Sequence, residues 1–129
     1  MSQAGFARGE RCPSPRLSVF SGVYLEGMDT SRLQTIAERL KQDYGAQRIW
    51  LFGSFARGTA DEGSDVDLLI VSPTGEAFFQ RIATVQRLLR HERQGLPISP
   101  IVLTPDELEA RMARGDQFIA EIVAHGVEL

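Results

Sequence analysis

At 129 residues the chain suffices for one domain with a real core, and its 43% apolar and 24% charged content is that of an ordinary soluble globular protein. The net charge of −3 argues against nucleic acid as the main partner, because a phosphate backbone calls for a basic surface. Cys12 is the single cysteine, which excludes an internal disulfide and fits a reducing cytoplasm; no apolar run reaches membrane-spanning length, and the N-terminus lacks a signal-peptide core.

Residues 1–28 are rich in Gly, Ser, Pro and Arg without sustained periodicity, and read as a disordered or loosely attached tail; 29–129 read as the single folded domain. Val19, Phe20, Val23, Tyr24 and Leu25 are apolar enough for part of the tail to pack on that domain. Met28 is a candidate natural start, with the preceding segment an upstream over-extension; mass spectrometry finding Met1 or Ser2 at the native terminus would end that idea. From Ser31, the positions Leu33, Ile36, Ala37, Leu40 and Tyr44 form a helical face, with Ser31 and Gln34 as a capping box and Gly45 as the stop. Arg48 to Phe52 is the first strand. Gly53-Ser54 turns into a short helix, and Asp65 to Val71 is the second strand, ended by Ser72-Pro73. Apolar residues on both its faces after Asp67 mark it as central.

Phe78, Ile82, Val85, Leu88 and Leu89 define a long helix reaching about His91. Ile98 to Leu103 is the third strand, and Pro100 within it suggests an edge position or a bulge. Thr104 as N-cap, Pro105 at N1 and Glu107 at N3 open the next helix. Gly115-Asp116 separates it from a last helix with Phe118, Ile119, Ile122 and Val123 inward. If Ser54, after the first strand, and Asp65, at the start of the second, face one substrate, those strands run antiparallel. The helix joining the second and third strands suits a parallel right-handed crossover. The fold class expected is α/β (α+β): a small mixed sheet of three or more strands flanked by helices.

Chemistry concentrates between Gly53 and Asp67. Side chains alternate along a strand, so Asp65 and Asp67 point to one face, roughly 6.5 Å apart. Two carboxylates held so close call for a neutralising cation. Mg²⁺ prefers carboxylate oxygens and water, and is commonly shared with substrate phosphates. Gly53 lets backbone approach a ligand, and Ser54 offers a hydroxyl and, at a helix start, free N–H groups. The alternative is a hairpin-like connection carrying solvated acids.

Gly53-Ser54, ten residues, then Asp65-Val66-Asp67 resembles the signature of the DNA polymerase beta-like nucleotidyltransferase superfamily. Ala56-Arg57-Gly58 and Ser64-Asp65 are similar to its small MNT-type (minimal nucleotidyltransferase) branch, and the resemblance runs from about Ser31 to the C-terminus. It implies the nucleotidyltransferase fold and transfer of a nucleoside monophosphate, AMP from ATP, to a hydroxyl acceptor. Asp65 and Asp67 would then be catalytic and hold Mg²⁺, with Gly53 and Ser54 on the β- and γ-phosphates. MNT-type proteins are often paired with a HEPN protein as the antitoxin of a toxin–antitoxin module, which gives the biological context implied here. The folded stretch is too short for a second domain to close over an acceptor, so a partner chain or a homo-oligomer is expected to supply that wall.

The superfamily typically adds a third acid from the next strand, completing a two-cation site in which one ion grips the triphosphate and the other activates the acceptor. In the pattern of the small members that position falls near Ser99, and no carboxylate lies between Ile98 and Thr104. Three explanations stand open: the acceptor-activating ion is dispensable; another acid, Glu92 or Glu62 or one from a partner, substitutes; or catalysis is lost and a nucleotide-binding or protein-binding module remains. Asp106 and Glu107 are poor substitutes, because the strand carries them roughly 20 Å from Ser99. An aminoglycoside-modifying enzyme is a further alternative, disfavoured because such enzymes usually carry an additional helical domain.

Of the remaining residues, Arg57 reads as a phosphate contact or a partner of Asp65 or Asp67, with a solvated turn arginine as the alternative. Ser64, a candidate nucleotide-binding residue, reads first as a local hydrogen-bonding residue at the approach to Asp65, with a part in the chemistry as the alternative. His91 and His125 read as helix-end cations, Asp61 and Glu62 as solvated loop acids, and Trp50 as core.

Overall fold

The computed structural model describes residues 30–60 and 63–129; the expectations for the N-terminal tail, Met28, Asp61 and Glu62 lie outside the described residues. Four strands, β1 (Arg48–Phe52), β2 (Val66–Val71), β3 (Ile98–Leu103) and β4 (Val127–Glu128), form one mixed sheet in the order β3-β2-β1-β4. β1 pairs antiparallel with β2 and with β4, while β2 and β3 run parallel. The expected antiparallel first pair, the parallel crossover and the central second strand are all present. β4 is an addition; at two residues it is too short to leave a period-two signal.

The sheet's two faces carry separate apolar clusters because side chains alternate along each strand. On one face, Ile49 and Leu51 of β1 and Val66, Leu68 and Ile70 of β2 are buried beneath helix α1 (Thr30–Asp43). Leu33, Ile36, Ala37 and Leu40 come from α1, at the three- and four-residue spacing of one helical face. On the other face Trp50, only 1% exposed, packs with Leu69, Val71 and Leu103 beneath α6 (Gln117–His125), which contributes Ile119 and Ile122.

α1 begins at Thr30, so Ser31 lies inside the first turn and is not the cap; its carbonyl accepts from Thr35 Oγ at 2.8 Å. The helix stops as expected: Ala46 N–H returns to Leu40 O at 3.1 Å across Gly45, whose φ is 76°. The second long helix divides into α3 (Phe78–Leu88) and α4 (Arg90–Arg93), numbered after a four-residue α2 (Ser54–Arg57). The chain bends at Leu89, which stays fully buried while α4 turns toward α1, where Glu92 receives Arg39 Nη1 at 2.8 Å.

α5 (Pro105–Ala113) opens on the expected capping box: Thr104 Oγ1 accepts from Glu107 N–H at 3.1 Å, and Glu107 Oε1 accepts from Thr104 N–H at 2.9 Å. Asp116 caps α6 through Ile119 N–H. β3 is the edge strand that Pro100 implied. Two of its carbonyls are engaged by α3 side chains: Gln86 Nε2 donates to Ile98 O at 2.7 Å and Arg81 Nη1 to Val102 O at 3.1 Å. Among the described residues no helix is long and apolar enough to cross a membrane.

Candidate active site

Sheet topology gathers the signature residues at one end of the sheet. β1 ends at Phe52, while β2 and β3 begin at Val66 and Ile98, so antiparallel and parallel pairing bring these three termini together. Phe52 pairs with Asp67, and Asp67 pairs with Ser99 on the next strand. Directly paired residues project to the same face. Phe52, Asp67 and Ser99 therefore continue, toward solvent, the face whose dry part is the Trp50 cluster.

Gly53 follows Phe52 with φ 79° and ψ −154°, a region essentially restricted to glycine. Its missing side chain leaves room for Asp67: a Cβ there would overlap Asp67 Oδ2 and lie 3.1 Å from Asp67 Cγ. Ser54 then opens α2, with Arg57 N–H returning to Gly53 O at 3.0 Å and Thr59 N–H to Ser54 O at 2.9 Å. Phe55 anchors that turn in the core, so the Gly53-Ser54 backbone is fixed beside the carboxylate. Val66 N–H donates to Pro97 O at 2.9 Å and fixes the approach of Asp65 to β2.

Asp67 is half-buried and Asp65 exposed. Burial pushes the Asp67 carboxyl above its usual proton affinity, the Asp65 charge pushes it further, and the Arg57 guanidinium opposes both. These influences show Asp65 and Arg57 within electrostatic reach of Asp67. The pair offers hard oxygen donors whose mutual repulsion a divalent cation would relieve, so the residues fit Mg²⁺. Ser64 precedes Asp65 and is half-buried.

A profile of the nucleotidyltransferase domain family matches residues 33–126, a span that includes both glycine-serine turn and carboxylate pair. The chain belongs to that family. Its nucleotidyltransferase domain is of the minimal type, as its signature implied. A relative from Methanocaldococcus jannaschii, named "Putative protein adenylyltransferase", is 34% identical over 99 residues, a match covering 67% of this chain. The chain spans 62% of that relative's length.

Ser99, near which the resemblance placed a third acid, is exposed and in register with Asp67. Among the described residues no group of three His, Cys, Asp or Glu gathers in metal-binding geometry. Glu92 is not at this site: Arg39 holds it beside α1, across the sheet from Asp67. Glu107 follows the opposite end of β3 and is bound by Arg81. His125 ends α6 and faces Glu121 at 3.9 Å, and His91 is an exposed residue of α4.

Two aromatic residues near the Asp67 end of the sheet escaped the sequence reading as neighbours of the candidate site. Phe52 stands beside Asp67, and Phe118, expected inward, is 52% exposed and meets Phe52 edge-on at 5.7 Å. Phe118 precedes Ile119 and Ile122, which take the inward positions of α6. Pairing the first and second strands in register would have found Phe52; Phe118 depends on the docking angle of α6, which periodicity does not encode.

Proposed function

We propose that this nucleotidyltransferase transfers AMP from ATP to a hydroxyl on a partner protein. The observation that carries the reading is the convergence of Gly53-Ser54 with Asp65 and Asp67, Gly53 lying directly against the Asp67 carboxylate. Asp65 and Asp67 hold the cation, Gly53 and Ser54 bind the β- and γ-phosphates, and Arg57 contacts a phosphate. Ser64 orders the approach to Asp65. Mg²⁺, when bound, neutralises triphosphate charge. The acceptor oxygen attacks the α-phosphorus, forming a new phosphoester bond as the bond to the β-phosphate oxygen breaks. Pyrophosphate leaves, and the hydroxyl proton passes to solvent. The chain's residues contribute mainly by positioning and by electrostatics.

The M. jannaschii relative's name supports adenylyl transfer and a protein acceptor. The resemblance to MNT-type antitoxins supports a HEPN-type toxin as that acceptor, with a second copy of this chain as the other source of a closing wall. The lone Cys12 supports a cytoplasmic setting. Ser99, opposite Asp67, favours a second reading in which catalysis is impaired and the chain neutralises its partner by binding.

Calorimetric titration of ATP, with and without Mg²⁺, into wild type and Asp65→Asn/Asp67→Asn tests the nucleotide site. Mg²⁺-dependent binding lost in the double variant is the expected result. Absence of binding by wild type, with its partner also present, would leave the protein-binding reading. Neutralisation of the partner untouched by Asp67→Asn would separate that role from transfer.

A further inference from the structure

We infer that this chain holds one divalent cation with its nucleotide, and that the second site of a two-cation centre is missing because Ser99 stands where its carboxylate would be. The inference rests on the nucleotidyltransferase reading of the same site. In a two-cation site the ions lie roughly 3.5–4 Å apart and share carboxylates between them. The second ion therefore needs an anionic oxygen on the strand beside Asp67. β3 is that strand, and its residue in register with Asp67 is Ser99. The Ser99 side chain shares the face of Asp67, is exposed, and offers a neutral hydroxyl. A hydroxyl ligates weakly and leaves the cluster one negative charge short.

The described acids that flank β3 in the sequence, Glu92, Asp106 and Glu107, do not fill the gap. Glu92 is tied to Arg39 across the sheet, and Glu107 to Arg81 and the Thr104 N–H beyond the far end of β3. Asp106 sits beside Glu107 at that same far end. Asp65 and Asp67, at the end of the sheet where Ser99 lies, suit one ion shared with a triphosphate, since Mg²⁺ is commonly held by one or two carboxylates plus phosphates.

Manganese with a non-hydrolysable ATP analogue reads the ion count without any turnover. Protein-bound Mn²⁺ is counted by equilibrium dialysis against a nucleotide-only control, and paramagnetic resonance reports whether two ions couple. We expect one ion per chain in wild type with an uncoupled spectrum. Ser99→Asp should raise the count to two and introduce coupling, whereas Ser99→Asn should stay at one. Ser99 is exposed, so both variants are expected to fold, and circular dichroism checks this. Two coupled ions in wild type would overturn the inference while leaving the nucleotide site intact. A Ser99→Asp protein that folds and remains at one ion would overturn it equally. No manganese retained by wild type would overturn it together with the nucleotidyltransferase reading of the site.

Discussion

Gly53 and Asp67 are fitted to each other: the Asp67 carboxylate occupies the space that any side chain at position 53 would need. A Cβ on Gly53 would overlap Oδ2 and stand 3.3 Å from Asp67 Cβ, while the backbone at φ 79° already disfavours any L side chain. Gly53→Ala therefore carries two penalties at one residue. We predict a loss of about 1–3 kcal/mol of stability, measured by urea denaturation. Nucleotide binding should weaken beyond detection in the same variant. Unchanged stability and affinity would show that the turn relaxes freely, contrary to this geometry.

Asp67 itself is expected to cost stability when the metal is absent. Its folded-state pKa is raised, so the folded chain binds the proton more tightly than the unfolded one. The stabilisation associated with that proton is complete below the unfolded pKa and is lost as pH rises through the folded pKa. Asp67→Asn should accordingly melt higher than wild type at neutral pH without divalent ions. The difference should close at acid pH, where Asp67 is protonated. Mg²⁺ should raise the melting temperature of wild type and leave the variant unmoved. A variant that melts lower at neutral pH would contradict this prediction.

Arg81 and Glu107 pose the opposite case. Arg81 is 7% exposed, forks onto Glu107 at 2.7 and 3.0 Å, and also donates to Glu76 O and Val102 O. Hydrogen bonds from Arg81 lead the influences that hold the Glu107 carboxyl at about 2, down from the usual 4.5. That depression contributes stability above the unfolded pKa, which fades as pH falls from about 4.5 through about 2. Arg81→Met should cost about 2 kcal/mol, below a fully buried pair because water can reach the orphaned carboxylate. Glu107→Gln should flatten the acid limb of the stability profile, as followed by denaturation between pH 2 and 6.

Gly126 closes α6 against β1. A Cβ there would lie 2.5 Å from Ile122 O and 3.1 Å from Leu51 O, both backbone atoms without freedom to move aside. Gly126→Ala should destabilise by roughly 1–3 kcal/mol and loosen β4. Amide exchange should accelerate at Leu129, whose N–H donates to Ile49 O at 2.9 Å. Exchange at wild-type rate would mean that the helix end adjusts without disturbing the strand.

Much of this arrangement was legible because local and global signals agree. β1 and β3 occupy the expected ranges, β2 begins one residue later, and Thr104, Pro105 and Glu107 predicted α5 through local capping chemistry. Gly53, Ser54, Asp65 and Asp67 were legible because their spacing spans one strand end, a turn and a strand start. The rest depended on tertiary packing. Leu89 is buried in the core where its helix bends, and β4 is a two-residue strand paired on the edge of β1. Phe118 faces outward because Ile119 and Ile122 fix the rotation of α6.

The side chains of α3 that reach β3 decide how this chain can join another. An open sheet edge normally recruits foreign strands through its unpaired carbonyls and amides. On β3 the carbonyls of Ile98 and Val102 are already taken by Gln86 and Arg81, and Pro100 between them has no N–H to give. The opposite edge, β4, is two residues long and clamped to β1 by Arg48 and Glu128 at 3.0 and 3.1 Å. Among the described residues, strand addition is thereby discouraged at both borders, which guards the sheet against fibril-like stacking.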